Sequence, residues 1–333
     1  MSPLQNNSGE RMDGLIHAIV LDGKGSGTWL HTEKEIKAWR ADDGILWLHL
    51  FYDNHETRRW LENDSGLSDV VTDSLLADET RPRITSVSTG CLLSLRGFNA
   101  NPEADPEDMV SIRLYIESNR VISTRKRQLL SVEDITSDLK KGQGPGSVSS
   151  LIAELMDSLT IRMQSVLDTL EMRLDKLEDA IDQGTNFSLR EELSDIRRST
   201  VAIRRYITPQ KDTVAKISAG KFGWLNDDDR ASLREVSNQL LLYIEELDMN
   251  IDRAQIAYEE LNHKMNEQIN QRMYRMSVFA AMFLPLSFLT GLFGVNVAGI
   301  PGEHDPLAFY MFLGFLVLIS VLGFAFFRFR RWL

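Results

Sequence analysis

The sequence predicts an α/β domain over residues 1–146, a helical segment over 147–226, and a long stalk helix over 227–293 that continues into the first of two C-terminal transmembrane helices. Three observations predict it. Short runs rich in branched and aromatic residues alternate with helical spacing in the first part of the chain. Residues 227–284 contain neither Gly nor Pro. Two charge-free apolar runs, 276–293 and 307–327, close the sequence, and each has the ~17–25 residues that a membrane span needs.

Ile16-His17-Ala18-Ile19-Val20-Leu21, Ile45-Leu46-Trp47-Leu48-His49-Leu50, Cys91-Leu92-Leu93-Ser94-Leu95 and residues 109–116 read as strands bounded by turn signals. Between them, 56–63 and 68–77 carry helical spacing, and that alternation makes the unit α/β. Asn101-Pro102-Glu103-Ala104-Asp105-Pro106 reads as a turn or hairpin loop, and Lys141-Gly142-Gln143-Gly144-Pro145-Gly146 as a domain boundary. Helices are expected over 148–183 and 189–219, separated by Gly184-Thr185-Asn186, with a further break at Gly223-Trp224-Leu225-Asn226. At ~1.5 Å per residue a helix over 227–293 is roughly 100 Å long. An average globular helix has ~11–12 residues, so this one must pair with neighbours or run out of one domain into another.

The net charge of −11 argues against a nucleic-acid partner, which needs clustered Lys and Arg. The single cysteine, Cys91, lies in an apolar run and reads as a small core residue. No disulfide can form within one chain, which suits a cytoplasmic setting for the soluble part. The N-terminal residues Asn6, Asn7, Ser8 and Glu10 form no apolar h-region, so no cleavable signal peptide is expected.

Arg272 and Arg275 precede the first apolar run, and Arg328, Arg330 and Arg331 follow the second. The positive-inside rule then puts both ends, including the basic tail 328–333, in the cytoplasm and the loop 294–306 outside, with lipid around the hairpin. Pro285 inside the first span is tolerable in a bundle and gives a modest kink. Two spans cannot enclose a water-filled pathway alone. Either the hairpin is an anchor, or several copies assemble around an axis.

The first span ends in Gly294-Val295-Asn296, followed by Val297-Ala298-Gly299-Ile300-Pro301-Gly302 and preceded by Phe283-Leu284-Pro285-Leu286-Ser287-Phe288-Leu289-Thr290-Gly291-Leu292-Phe293. This resembles the signature loop of the CorA family of divalent cation transporters, whose usual form is Gly-Met-Asn. Val in the middle is similar to the zinc-transporter branch, ZntB. Glu79-Thr80-Arg81-Pro82-Arg83, Val121-Ile122-Ser123-Thr124-Arg125 and Arg204-Arg205-Tyr206-Ile207-Thr208-Pro209-Gln210 resemble the same branch, so the likeness covers essentially the whole chain. It implies a homopentamer in the bacterial inner membrane with a cytoplasmic α/β domain, the stalk helix lining the pore, and Gly294, Val295 and Asn296 at its outer mouth. It implies no tightly bound cofactor, with Zn2+ as the transported ion; the same family also carries magnesium, cobalt and nickel. Neutral amide and carbonyl oxygens suit a hydrated divalent cation that must be held without being trapped. Read without the resemblance, Asn296 is a helix C-terminal cap.

The loop adds Glu303, His304 and Asp305, a run that can gather zinc loosely, since imidazole suits zinc better than magnesium. A short external loop is also polar on general grounds. Along the long helix, Leu240, Ile244, Leu247, Ile251, Ala254, Tyr258, Leu261 and Met265 make a packing seam. Counting by sevens gives a second stripe, Asn238, Glu245, Asp252, Glu259, Asn266, Met273, Ala280 and Ser287, with Met249, Ile256, His263, Asn270, Ser277 and Leu284 beside it. Such a stripe is either a solvated face or, in an oligomer, a pore lining that draws in cations; on the second reading Glu259, Met273, Ala280, Leu284 and Ser287 line the pathway.

No CxxC, HExxH or close His pair offers a tight zinc site, and no glycine loop offers a phosphate site. No nucleophile–base constellation suggests an enzyme. The rival class is a membrane-tethered coiled-coil scaffold or sensor, which passes no metal.

Overall fold

The computed structural model describes residues 12–78, 80–99, 105, 107–184, 187–295 and 305–329. Among these, seven strands form one mixed sheet: β1 (Leu15–Leu21), β2 (Gly27–Trp29), β3 (Ile45–Phe51), β4 (Arg83–Val87), β5 (Gly90–Gly97), β6 (Val110–Ile116) and β7 (Arg120–Arg125). The order is β2-β1-β3-β7-β6-β5-β4, and only the β3–β7 pair is parallel. The helices are α1 (Glu33–Ala38), α2 (His55–Asn63), α3 (Asp69–Leu76), α4 (Leu130–Lys141), α5 (Val148–Gln183), α6 (Phe187–Ala219), α7 (Asp227–Phe293) and α8 (Pro306–Phe329).

The expected α/β unit, long helix and pair of terminal apolar helices are all present. Three strands and two short helices were not legible from periodicity. β2 has only three residues, β4 is a polar edge strand, and β7 mixes charged ends with a short apolar middle. α1 owes its start to a capping box: Glu35 N–H donates to Thr32 Oγ1 at 3.3 Å, and Thr32 N–H donates to Glu35 Oε2 at 2.9 Å. α4 ends where Gly142 takes a left-handed conformation at φ 76° and donates its N–H to the last turn. The Asn101–Pro106 turn lies outside the described residues, apart from Asp105.

Strand alternation sorts the two faces of the sheet. Trp47, Cys91, Leu93, Leu95, Ile112, Leu114 and Ile116 pack with α4, α5, α6 and α7, while Leu46, Leu48, Leu50, Leu92, Tyr115 and Ile122 pack on the opposite face with α1, α2 and α3. Cys91 is buried in the first of these cores, as its apolar run suggests. In β1 the register skips a residue, pairing Leu15 with Leu50 but His17 with His49. This bulge at Ile16 lets Leu15 and Ala18 share the second core despite their odd separation. It leaves His17 on the same side as His49.

α5 begins on the reciprocal Ser147–Ser150 cap, with Ser150 N–H donating to Ser147 Oγ at 2.9 Å. Its buried Leu151, Leu155, Leu159, Met163, Leu167, Leu170 and Leu174 follow helical spacing. On α7, Leu240, Ile244, Leu247, Ala254 and Leu261 are buried, and Ile251, Tyr258 and Met265 half-buried, so the seam falls where its spacing puts it. The chain divides into two compact units, Met1–Tyr258 and Glu259–Leu333.

Candidate functional site

Two helices are long and apolar enough to cross a membrane: α7, whose C-terminal part lies in the second unit, and α8. Their most apolar windows reach mean hydropathies of 1.9 and 2.4, yet only 6% and 0% of those windows is buried. A core helix of a water-soluble domain would be covered. Here Met276, Phe283, Leu284 and Phe288 of α7 are 74%, 61%, 68% and 69% exposed, which no aqueous surface tolerates over such a length. The less exposed residues fall on one side of each helix: Val278, Met282, Leu286 and Leu289 on α7, and Ala308, Phe312, Leu316, Ile319 and Gly323 on α8. Phe293 and Phe312 meet with ring centroids 4.8 Å apart.

Three hydroxyls inside these helices turn back on their own backbone. Ser277 Oγ donates to Met273 O at 2.9 Å, Thr290 Oγ1 to Leu286 O at 3.0 Å, and Ser320 Oγ to Leu316 O at 2.8 Å. Pro285 sits within α7 and removes one ladder donor. At the helix end, Gly294 N–H donates to Gly291 O at 3.3 Å, and a Cβ at Gly294 would stand 2.9 Å from Thr290 O. Glycine is therefore the residue that lets the chain turn out of the helix at this point.

Of the residues singled out from sequence, Gly294 and Val295 are described at the end of α7, and Val295 is 49% exposed. Asn296, Glu303 and His304 lie outside the described residues. Asp305 caps α8, accepting the Leu307 N–H on Oδ1 at 2.9 Å. Glu259, Met273, Ala280, Leu284 and Ser287 are all exposed, as are Glu245, Asp252 and Asn266 of the same stripe. Among the described residues no group of three His, Cys, Asp or Glu side chains comes together to hold a metal ion.

The first unit brings together residues that the sequence did not mark. His49 is fully buried; its Nδ1 lies 2.8 Å from Ser123 Oγ, and its Nε2 accepts from Arg125 Nε at 3.0 Å. Because Arg125 can only donate, the proton of His49 sits on Nδ1. Ser123 Oγ in turn donates to Leu48 O and accepts from Trp47 Nε1. Burial, then Arg125 and His17, hold His49 well below the ordinary histidine range. The signal available in the sequence was a histidine inside an otherwise apolar strand.

Carboxylates also crowd this unit. Burial, then Asp229, Asp138 and Asp157, push Glu154 up to about 7. Burial, then Glu171 and Asp168, raise Glu246. These groups come from α4, α5 and α7, so their proximity is tertiary and could not be read from spacing.

Residues 42–331 match the family described as CorA-like Mg2+ transporter protein. The chain is 37% identical over 306 residues to a zinc transport protein ZntB of Pectobacterium carotovorum, covering 92% of each chain. It is 36% identical over 320 residues to the divalent cation transporter CmaX of Pseudomonas aeruginosa, covering 96% of each. The solved structure of full-length CmaX superposes with a TM-score of 0.83 at 34% identity, covering 98% of this chain and 100% of that one. The matches run along nearly the whole length, over the sheet, the long helix α7 and the apolar helix α8, and the chain belongs to the CorA-like family.

Proposed function

We propose that this protein carries divalent cations, zinc foremost, across the bacterial inner membrane through a pathway built by several copies of the α7–α8 hairpin. The observation that carries this reading is the exposure of both apolar helices in a chain similar over 92% of its length to a zinc transport protein. Helices whose faces stay uncovered need lipid on one side and other copies on another. Five copies are what the family resemblance implies. The arginines flanking the hairpin favour cytoplasmic ends and an external loop.

In this reading the stripe of Glu259, Met273, Ala280, Leu284 and Ser287 faces the axis. Glu259 supplies negative charge on the cytoplasmic side, and the small residues Ala280 and Ser287 leave room for a hydrated ion. Gly294 and Val295 bring the chain to the outer mouth, where the amide of Asn296 meets the incoming ion. An amide binds a divalent cation through oxygen without a full charge, so the ion is held weakly enough to leave. Glu303, His304 and Asp305 gather cations loosely outside. Asp305 can do this with one oxygen while the other caps α8.

The family description supports magnesium as a second cargo. Val295, in place of the usual Met, favours zinc by resemblance to the ZntB branch. The test is metal uptake into sealed proteoliposomes, for zinc and magnesium in parallel, with and without a pH gradient. Zinc is expected to enter much faster than into protein-free liposomes, and magnesium more slowly than zinc. Magnesium entering ahead of zinc would reverse the assignment, and no uptake of either ion would leave the hairpin as an anchor.

A further inference from the structure

At the outer edge of the sheet, β2 pairs with β1 only along Ile19, Val20 and Leu21, and Leu30 N–H adds one more bond to Ala18 O. Beyond that point a cavity of about 420 Å³ opens beside the bulge at Ile16, lined by Leu15, His17, Trp29, Leu30, His31 and Lys140 among others. Bulges of this kind re-aim side chains beside sites. Here the bulge puts His17 on the same side of the sheet as His49 and the α4 residues Glu133 and Lys140.

The chemistry of the lining is unbalanced. Lys140 Nζ stands 5.9 Å from the centre of the Trp29 ring, and among the described residues it makes no ion pair. Behind His17, the ring of His49 stacks at 6.3 Å with an interplanar angle of 17° and is bonded in turn to Arg125, which also makes no ion pair among the described residues. Burial first, then Lys140 of α4 and Arg125 of β7, disfavour the protonation of His17, and Glu133 of α4 favours it. One carboxylate therefore stands against two cations. Glu35, near the rim, is already engaged by the backbone N–H groups of His31 and Thr32 at 2.7 and 2.9 Å. Leu15, Leu30 and the Trp29 ring make the remaining wall apolar. A concave site with an apolar wall and a few convergent polar groups is how small organic ligands are bound.

We propose that this cavity binds a small organic anion, a carboxylate or phosphate on a flat apolar body, with the anionic group between Lys140 and His17 and the flat body on Trp29. The anion supplies the ion-pair partner that Lys140 lacks among the described residues, where Glu133 acts on Arg125 and His17. A planar body replaces the loose Lys140–Trp29 contact with stacking on the indole. This site lies wholly within the first unit and does not depend on the assignment of the transported ion.

The experiment is calorimetric titration of the full chain in nanodiscs with benzoate, phenyl phosphate and neutral benzamide, corrected against empty nanodiscs. Wild type is expected to bind one or both anions, with benzamide at least about ten-fold weaker. Lys140 is exposed, so Lys140→Gln leaves the fold intact; it should weaken anion binding by about ten-fold. Benzoate is fully ionised between pH 6 and 8, and its affinity should rise as pH falls across that range. In His17→Asn that rise should be reduced, with His31 of the same lining left in place. Binding of benzoate but not phenyl phosphate, or the reverse, identifies the anionic group. Equal affinities for benzamide and benzoate, unchanged anion binding in Lys140→Gln, or no binding of either anion would overturn the proposal.

Discussion

Arg253 of α7 grips Glu178 of α5 with two donors, Nε at 3.2 Å and Nη2 at 2.5 Å, and the same Nη2 also reaches Asp175 at 2.6 Å. The contact fastens the long helix to α5 close to the point where the two compact units divide. The two carboxylates, Glu178 first, hold the guanidinium firmly in its charged form.

These side chains are one-third to one-half exposed, so solvent screens much of the attraction. Arg253→Met is expected to lower stability by no more than about 1 kcal/mol, although the geometry is bidentate. A double-mutant cycle with Glu178→Gln, read by urea unfolding, measures the coupling directly.

Leu247 and Glu245 are two residues apart on α7, one fully buried and the other exposed. Leu247→Ala should cost ~2–5 kcal/mol, whereas Glu245→Gln should change stability by no more than ~0.5 kcal/mol. Equal losses would mean that the seam does not hold α7 in the first unit.

Glu154 gives the first unit a pH dependence of definite sign. Its pKa in the folded chain is pushed from the ordinary 4.5 to about 7, so folding favours the protonated form. The unfolded chain then binds fewer protons between those values, and this group's contribution to stability falls as pH rises from about 4.5 to 7. Asp157 and Glu246 are raised too and add in the same direction. Glu154→Gln should stabilise the protein at pH 8, leave it nearly unchanged at pH 4.5, and flatten the unfolding profile between them.

If the loop after α7 gathers metals as proposed, His304 should affect how it treats them. Replacing it with Gln keeps size and polarity but removes the imidazole. The expected result is a several-fold rise in half-saturation for zinc uptake with little change in maximal flux. Magnesium should respond far less, because it prefers oxygen ligands. Superimposable zinc curves for the two proteins would leave the loop as ordinary polar chain.

Much of the fold was legible because a few patterns are long or unambiguous. A stretch free of Gly and Pro over 227–284 leaves little alternative to one helix, and α7 indeed runs Asp227–Phe293. Charge-free runs announce α8 in the same way. Elements whose residues are half polar were not legible: β4 and β2 take their conformation from backbone pairing to the neighbouring β5 and β1, and have no apolar alternation of their own. The proposed pathway rests on a stripe and a tripeptide read from the sequence, and within one chain the stripe residues Glu259, Met273, Ala280, Leu284 and Ser287 stay exposed. The His49–Ser123–Trp47 network and the crowding around Glu154 join residues far apart in sequence, and no spacing rule reaches them.

In the proposed pathway ions pass the end of α7 at Gly294-Val295-Asn296. Asn296→Ala removes the amide proposed to meet the hydrated cation there. The measurement is zinc flux into proteoliposomes, with the oligomeric state of the same detergent-solubilised sample determined by light scattering. Severe loss of flux is expected in a protein that still assembles as wild type does. Wild-type flux from correctly assembled Asn296→Ala would contradict it and leave Asn296 as a helix cap.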